Sequence, residues 1–245
     1  MNGAMRRPLD GTPLYRVVER TLMERLAAGE IKPGQAIPPE RELAAAFSVS
    51  IGTLRKAIDE LVEQRILVRQ QGKGTFVASH DRERLLFYFF HVVPHDGVKT
   101  YPQVEYIQFR RAVADAETAS RLHLSAGAPV FAIRNRLSLG GRPVLIDEIR
   151  IDVHRFPGLT ATQWKSRPST IYNLYQEAFG VTVVRTEERL RAEAATSEHA
   201  RLLGIEPGQP VLTIRRTAFD MRDDPVELRI STVDTTHHEY FAELL

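Results

Sequence analysis

Seven consecutive positions hold Ser50, Gly52, Thr53, Arg55 and Lys56. Two hydroxyls, a residue with no side chain and two cations are good ligands for phosphate oxygens, and the free N–H groups of a helix start add to them. Arg41 precedes this cluster, and Gly72 and Lys73 follow it in the turn QGKG. Ile51 is the odd member, an isoleucine at the first turn of a helix that otherwise suits a charged partner. It can face that partner, or turn inward beside Val49. A second set lies further on. Strand alternation puts Val130, Ala132, Arg134 and Arg136 of VFAIRNRLSL on one face, and Ile146, Glu148 and Arg150 of VLIDEIRI on another. Two guanidinium groups beside a carboxylate suit an anionic, hydroxylated metabolite. They also suit the solvated outer face of an antiparallel sheet.

Other chemistries find less support. The chain has no cysteine, which removes thiolate nucleophiles, disulfides and cysteine-ligated zinc together. QGKGT lacks the spacing of a phosphate loop, and G-x-S-x-G does not occur. His91 and His95 are four apart, but Pro94 between them argues against a helical metal clamp. His237 and His238 read as a surface pair. No catalytic residue, metal ligand or cofactor is expected.

The elements that would position these residues follow from periodicity. Leu14, Val18, Leu22 and Leu26 recur every four residues and mark one helix face, ended by Gly29 and Pro33-Gly34. PERELAAAF predicts a second, short helix with Pro39 in its first turn. After Ser48-Val49-Ser50 a third helix runs to about Gln64, with Leu54, Ala57, Ile58, Leu61 and Val62 as its apolar stripe and Ser50 as its N-cap. ILVRQ and TFVA around QGKG predict a hairpin. This order fits a winged helix-turn-helix, and also a helical bundle with a hairpin attached.

At 245 residues, with 43% hydrophobic and 26% charged, the chain suits two globular domains. Residues 1–79 hold 12 Lys and Arg against 9 Asp and Glu, while the remainder holds 21 against 22, so the small positive excess sits in the first part. MNGAMRRPLDGTP has no apolar signal core, and LLFYFFHVV (Leu85 to Val93) is too short to cross a bilayer, so a cytoplasmic protein is expected. ASHDRERL reads as a charged hinge. Beyond it, AETASRLHLSAGAPVFAIRNR and SEHARLLGIEPGQPVLTIRRT match at a fixed offset of 81 residues. Each copy reads as helix, Gly-x-Pro turn and alternating strand. Two copies predict one α/β domain with internal pseudo-symmetry and a ligand cleft between its halves.

PPERELAAAFSVSIGTLRKAIDELVEQRILVRQQGKGTFV resembles the DNA-binding domain of the GntR family of bacterial transcription regulators. It carries P-x-E-R-E-L-A, V-S-x-x-T-x-R-K-A and G-x-G-T-F-V in order. The resemblance implies that Arg41, Ser50, Thr53, Arg55 and Gly72 approach operator DNA, with Arg55 at base edges, and that Ile51 stands where an arginine often reads guanine; an apolar side chain there can instead pack on the C5-methyl of thymine in the major groove. RPVLIDEIRIDVHRFPGL and STIYNLYQEAFGV resemble the UTRA effector-binding domain of the HutC subgroup, which is similar to the chorismate-lyase fold. By this resemblance the effector residues are Arg134, Arg136, Glu148, Thr170, Tyr172 and Glu227. Val233 and Asp234 replace a tyrosine and a basic residue found in many sugar-phosphate binders, which favours an organic acid. The expectation is an α+β chain: a winged helix-turn-helix over 12–79, a linker over 80–84, and a mostly antiparallel UTRA domain over 85–242. It would act as a homodimeric repressor on double-stranded DNA, away from membranes, under a small-molecule effector. The alternative is an enzyme of the chorismate-lyase-like fold acting on a small organic acid.

Overall fold

The computed structural model describes residues 11–79 and 88–242; the first ten residues, the expected linker and Leu85 lie outside them. It divides into two compact units, one carrying the chain up to Ser79 and the other most of the rest.

The first unit is built from α1 (Leu14–Ala27), α2 (Glu40–Ala46), α3 (Ile51–Glu63), β1 (Leu67–Gln70) and β2 (Gly74–Val77). The four-residue repeat on α1 buries Val18, Leu22 and Leu26, and the stripe of α3 buries Leu54, Ala57, Ile58 and Leu61. α1 packs on α3, and α2 joins them through Leu43 and Ala44. Each fully buried Leu or Ile here contributes about 1.5–3 kcal/mol. The break between α2 and α3 is so short that Ser48 takes φ 54°, a left-handed conformation. β1 and β2 pair antiparallel from Leu67 opposite Val77 to Gln70 opposite Gly74. Gly72 turns this hairpin at φ 71°. The chain before α2 adds a third strand-like contact, with Val77 N–H donating to Gln35 O and Ile37 N–H to Thr75 O, each at 2.9 Å. The unit is a winged helix-turn-helix, not a bundle with a loose hairpin.

In the second unit, β4 (Gln103–Val113), α4 (Ala116–Arg121), β5 (Pro129–Leu139) and β6 (Arg142–Asp152) form one half. β7 (Val183–Ala194), α7 (Ser197–Leu203), β8 (Pro210–Asp220) and β9 (Pro225–Val233) form the other. α5 (Ala161–Ser166) and α6 (Ile171–Phe179) link the halves, and β3 (Val92–Pro94) pairs with β10 (His238–Tyr240). The six long strands make one antiparallel sheet in the order β4-β5-β6-β9-β8-β7, so the halves meet where β6 pairs with β9. The 81-residue offset holds down to single bonds. Ala114 N–H donates to Ala128 O as Ala195 N–H does to Gln209 O, both at 2.8 Å. The repeat includes β4 and β7 as well, which the aligned segments did not cover.

The helices are exchanged. α4 packs against β9 and α7 against β6, each on the other half's strand. Two ion pairs repeat the exchange: Arg134 of β5 reaches Glu198 of α7 at 2.6 Å, and Arg215 of β8 reaches Glu117 of α4 at 3.4 Å. Arg134 and Arg215 are equivalent under the repeat, and so are Glu117 and Glu198. The opposite sheet face, with Phe131, Ile133, Ile149 and Ile151, packs against Trp164, Tyr172 and Tyr175.

Candidate functional site

The N-terminus of α3 is exposed and ordered by its own cap. Ser50 Oγ accepts from Thr53 N–H at 3.1 Å and lies 2.9 Å from Thr53 Oγ1. Ile51 is 38% exposed, so it does not pack into the core beside Val49. Gly52 is open too: a Cβ there would meet only Ser50 Oγ, at 3.9 Å. Arg55 Nε donates to Glu40 Oε2 at 2.6 Å, so the start of α2 steadies the guanidinium. That pair is largely exposed and is worth about 1 kcal/mol or less, weak enough to be exchanged for another acceptor. Lys56 departs from the expected outward reach, because its ammonium lies 4.1 Å from the centre of the Tyr15 ring on α1. Arg41 is exposed, as are Gly72 and Lys73 at the hairpin tip.

The second unit holds a cavity of about 1020 Å³. Its floor is the sheet face that α5 and α6 cover, with Asn135 and Leu137 of β5, Leu145 and Asp147 of β6, Ile214 and Arg216 of β8, and Arg229 and Ser231 of β9. Both halves therefore contribute. Arg167, Thr170 and Tyr172 line it from the segment around α5 and α6. Arg229 Nη1 donates to Asp147 Oδ2 at 3.1 Å, while its Nε and Nη2 hold Glu227. Ser231 Oγ also donates to Asp147. Arg216 pairs with Glu188 and donates to Phe89 O. The Tyr172 hydroxyl donates to Glu227 at 3.2 Å, and burial pushes its pKa up, so it stays neutral.

Of the expected effector residues, Thr170 and Tyr172 line the cavity, whereas Glu227 stands fully buried behind Tyr172 and Arg229. Arg134, Arg136 and Glu148 do share a face, but it is the face opposite the cavity. Side chains alternate along a strand, so the cavity receives Asn135, Leu137 and Asp147 instead. Arg134 binds Glu148 and Glu198, each at 2.6 Å, and Arg136 binds Glu105 and the carbonyl of Leu202. These contacts brace α7. Asp234 does not line the cavity either; its carboxylate accepts from Thr236 and Gln209. Sequence reasoning missed Asn135, Asp147, Arg167, Arg216 and Arg229. A lone Asn or Asp on an otherwise apolar strand face was the available signal.

A brace and a ligand contact respond differently to mutation. Arg134→Ala is expected to cost about 1.5–3 kcal/mol while leaving effector response intact, as read by denaturation and by ligand-triggered DNA release. Glu148 tests the same brace by pH. His199, 3.6 Å away, and Arg134 hold its carboxyl at about 2, below the ordinary 4.5. A depressed carboxyl pKa stabilises the fold above its unfolded value, and the gain is lost as pH falls from about 4.5 towards 2. The stability gap between wild type and Glu148→Gln should therefore close over that range in chemical denaturation.

Two family descriptions match the chain: bacterial regulatory proteins of the gntR family over residues 14–77, and the UTRA domain over residues 99–239. Its relatives agree. The "Probable fructoselysine utilization operon transcriptional repressor" of Escherichia coli (strain K12) is 33% identical over 215 residues, covering 88% of each chain. This chain belongs to the GntR family. The mannosyl-D-glycerate transport/metabolism system repressor MngR of Escherichia coli (strain K12) is 31% identical over 206 residues, 82% of each chain. A crystal structure of a ligand-binding domain assigned to the GntR family, from Bordetella bronchiseptica, superposes with a TM-score of 0.61 at 35% identity. It covers 65% of this chain and 99% of that one. As a GntR-family member with a UTRA domain, the chain is a DNA-binding transcriptional regulator and not an enzyme. Among the described residues no helix is long and apolar enough to cross a membrane.

Proposed function

We propose that this GntR-family regulator is a cytoplasmic, homodimeric repressor that leaves its operator when a small organic acid fills the cavity. The exposed N-terminus of α3 carries the DNA part of the reading. Arg55 reads base edges there, while Ser50, Thr53 and the N–H groups of the first turn hold phosphates. Gly52 lets the backbone approach closely. Arg41, Lys56, Gly72 and Lys73 meet the flanking backbone, Lys56 after leaving Tyr15. Twofold pairing of subunits matches two half-sites in one operator. On the effector side, Thr170, Tyr172 and the cavity residues Asn135, Asp147 and Arg229 replace the Arg134 face as the ligand contacts, and Glu227 acts behind them. The compounds named for the two relatives, fructoselysine and mannosyl-D-glycerate, both join a hydroxylated sugar to a carboxylate. These names give the systems that the relatives repress, and the proposed organic acid follows the carboxylate common to both compounds.

The experiment is a thermal-shift screen of the whole protein against a metabolite library, followed by anisotropy titration of a selected operator duplex with each stabilising compound. Release of the duplex by a stabilising acid supports the reading. Stabilising compounds that all leave DNA affinity unchanged would sink it. Ile51 gives a separate expectation. If it packs on a thymine methyl, thymine-to-uracil replacement at one operator position weakens wild type, and Ile51→Arg moves preference there towards guanine. Identical selected sites for the two proteins would remove Ile51 from base recognition.

A further inference from the structure

The charges around the cavity do not cancel locally. Arg216 is matched by Glu188. Arg229 is shared by two carboxylates, Asp147 at 3.1 Å and Glu227 at 2.9 Å, which leaves one negative charge in excess. Arg167 is the converse. Among the described residues it has no carboxylate within ion-pair distance, its one acceptor is the carbonyl of Trp164, and its Nε is buried with no hydrogen-bond partner. Burial lowers its pKa to about 10, which still leaves it charged at neutral pH.

A second unsatisfied donor is tied to the same tryptophan. Trp164 Nε1–H donates to Asn135 Oδ1 at 3.2 Å, which fixes the amide orientation and leaves Asn135 Nδ2 buried without a partner. The Arg167 guanidinium carbon lies 5.4 Å from the centre of the Trp164 ring. Arg167 and Asn135 both line the cavity, and they account for two of the four buried side-chain atoms left without a partner among the described residues. Unpaired buried donors, a charged one above all, are costly unless something supplies acceptors.

We propose that the effector is a zwitterion, an amino-acid derivative whose carboxylate is held by Arg167 and Asn135 and whose ammonium is held by Asp147. This deepens the cavity's proposed role as effector site and rests on it. A simple carboxylate satisfies Arg167 but leaves the excess on Asp147 and Glu227 unanswered. A phosphate dianion would draw on Lys165 of the cavity lining as well as Arg167, and it leaves the excess on Asp147 and Glu227 unanswered. A zwitterion matches both ends.

Trp164 is the only tryptophan in the chain, so its emission reports on this corner of the cavity. The whole protein is titrated at fixed ionic strength with glycine, β-alanine, 4-aminobutyrate and 6-aminohexanoate, which space the two charges differently. Acetate, methylammonium and inorganic phosphate are the comparisons. At least one amino acid should give a saturable change at concentrations at least about tenfold below acetate and methylammonium. Arg167→Gln should weaken it by about tenfold or more, and Arg134→Ala should not. The proposal fails if acetate equals the best amino acid, if phosphate binds tightest, if no probe saturates, or if Arg167→Gln binds as wild type does. The probe comparison needs no variant, so a poorly folded Arg167→Gln leaves the test in place. A sugar phosphate that releases the operator would overturn the zwitterion and keep the cavity as effector site; stabilising compounds that never affect DNA would remove that role itself.

Discussion

Glu227→Ala is expected to cost about 3–5 kcal/mol of folding stability, because it takes a shared acceptor from three buried donors at about 1–3 kcal/mol each. Glu227 is fully buried and accepts from Tyr175 at 2.7 Å, from Tyr172 at 3.2 Å and from Arg229. Truncation leaves two phenol hydroxyls without their acceptor and Arg229 with Asp147 alone. For a chain of this size the melting temperature should fall by roughly 6–20 °C. Chemical denaturation of wild type and variant measures the cost directly. Adding Arg229→Met should not recover it, since the buried Asp147 would then lose the cation that pairs with it. A loss below about 1 kcal/mol in Glu227→Ala would place the pair in the weak class of solvated surface contacts.

Arg55→Ala should remove about 1–3 kcal/mol of discrimination at one operator base pair, which is roughly a 5- to 150-fold change confined to that position. Lys73→Ala should behave differently, weakening all sequences alike and lowering the salt slope by about 1. The contrast follows from position. Arg55 stands on the exposed face of α3, steadied by Glu40, whereas Lys73 sits at the tip of a hairpin turned by Gly72. Anisotropy titrations with single-base operator variants at two salt concentrations separate the effects. Unchanged affinity and selectivity in Arg55→Ala would remove it from base recognition.

The first unit was legible because each element announces itself twice. α3 shows an apolar stripe and a capping serine, and the hairpin shows alternation and a glycine turn. The repeat in the second unit was legible from its 81-residue offset, and its strands follow that offset. The cavity face was not. On β5 the charged positions, Arg134 and Arg136, draw attention, while Phe131, Ile133, Asn135 and Leu137 look like ordinary core. A cavity floor resembles core because most of it is apolar, with only a few polar groups placed in it. Strand parity then makes the error complete: reading one residue early selects the whole wrong face. Arg134 looks like a ligand contact for the same reason that it is a brace, since a guanidinium fork suits any carboxylate, whether it belongs to a metabolite or to Glu198. Arg167 could not be found from periodicity at all, because it lies at the end of α5, outside any repeat.

The exchanged helices also set an order for making the protein. While the chain is being synthesised, β4, β5 and β6 are finished well before α7 exists to cover β6. The partner strand of β6 comes later still, since Leu145 pairs with Val233. Until then the nascent half presents β6 as an open edge, with Ile146 lacking its cover of Leu202 and Leu203. Such an edge invites pairing with the wrong chain. The seam that makes the cavity therefore closes only when the last long strand leaves the ribosome, and a truncated chain acquires neither a cavity nor a covered sheet.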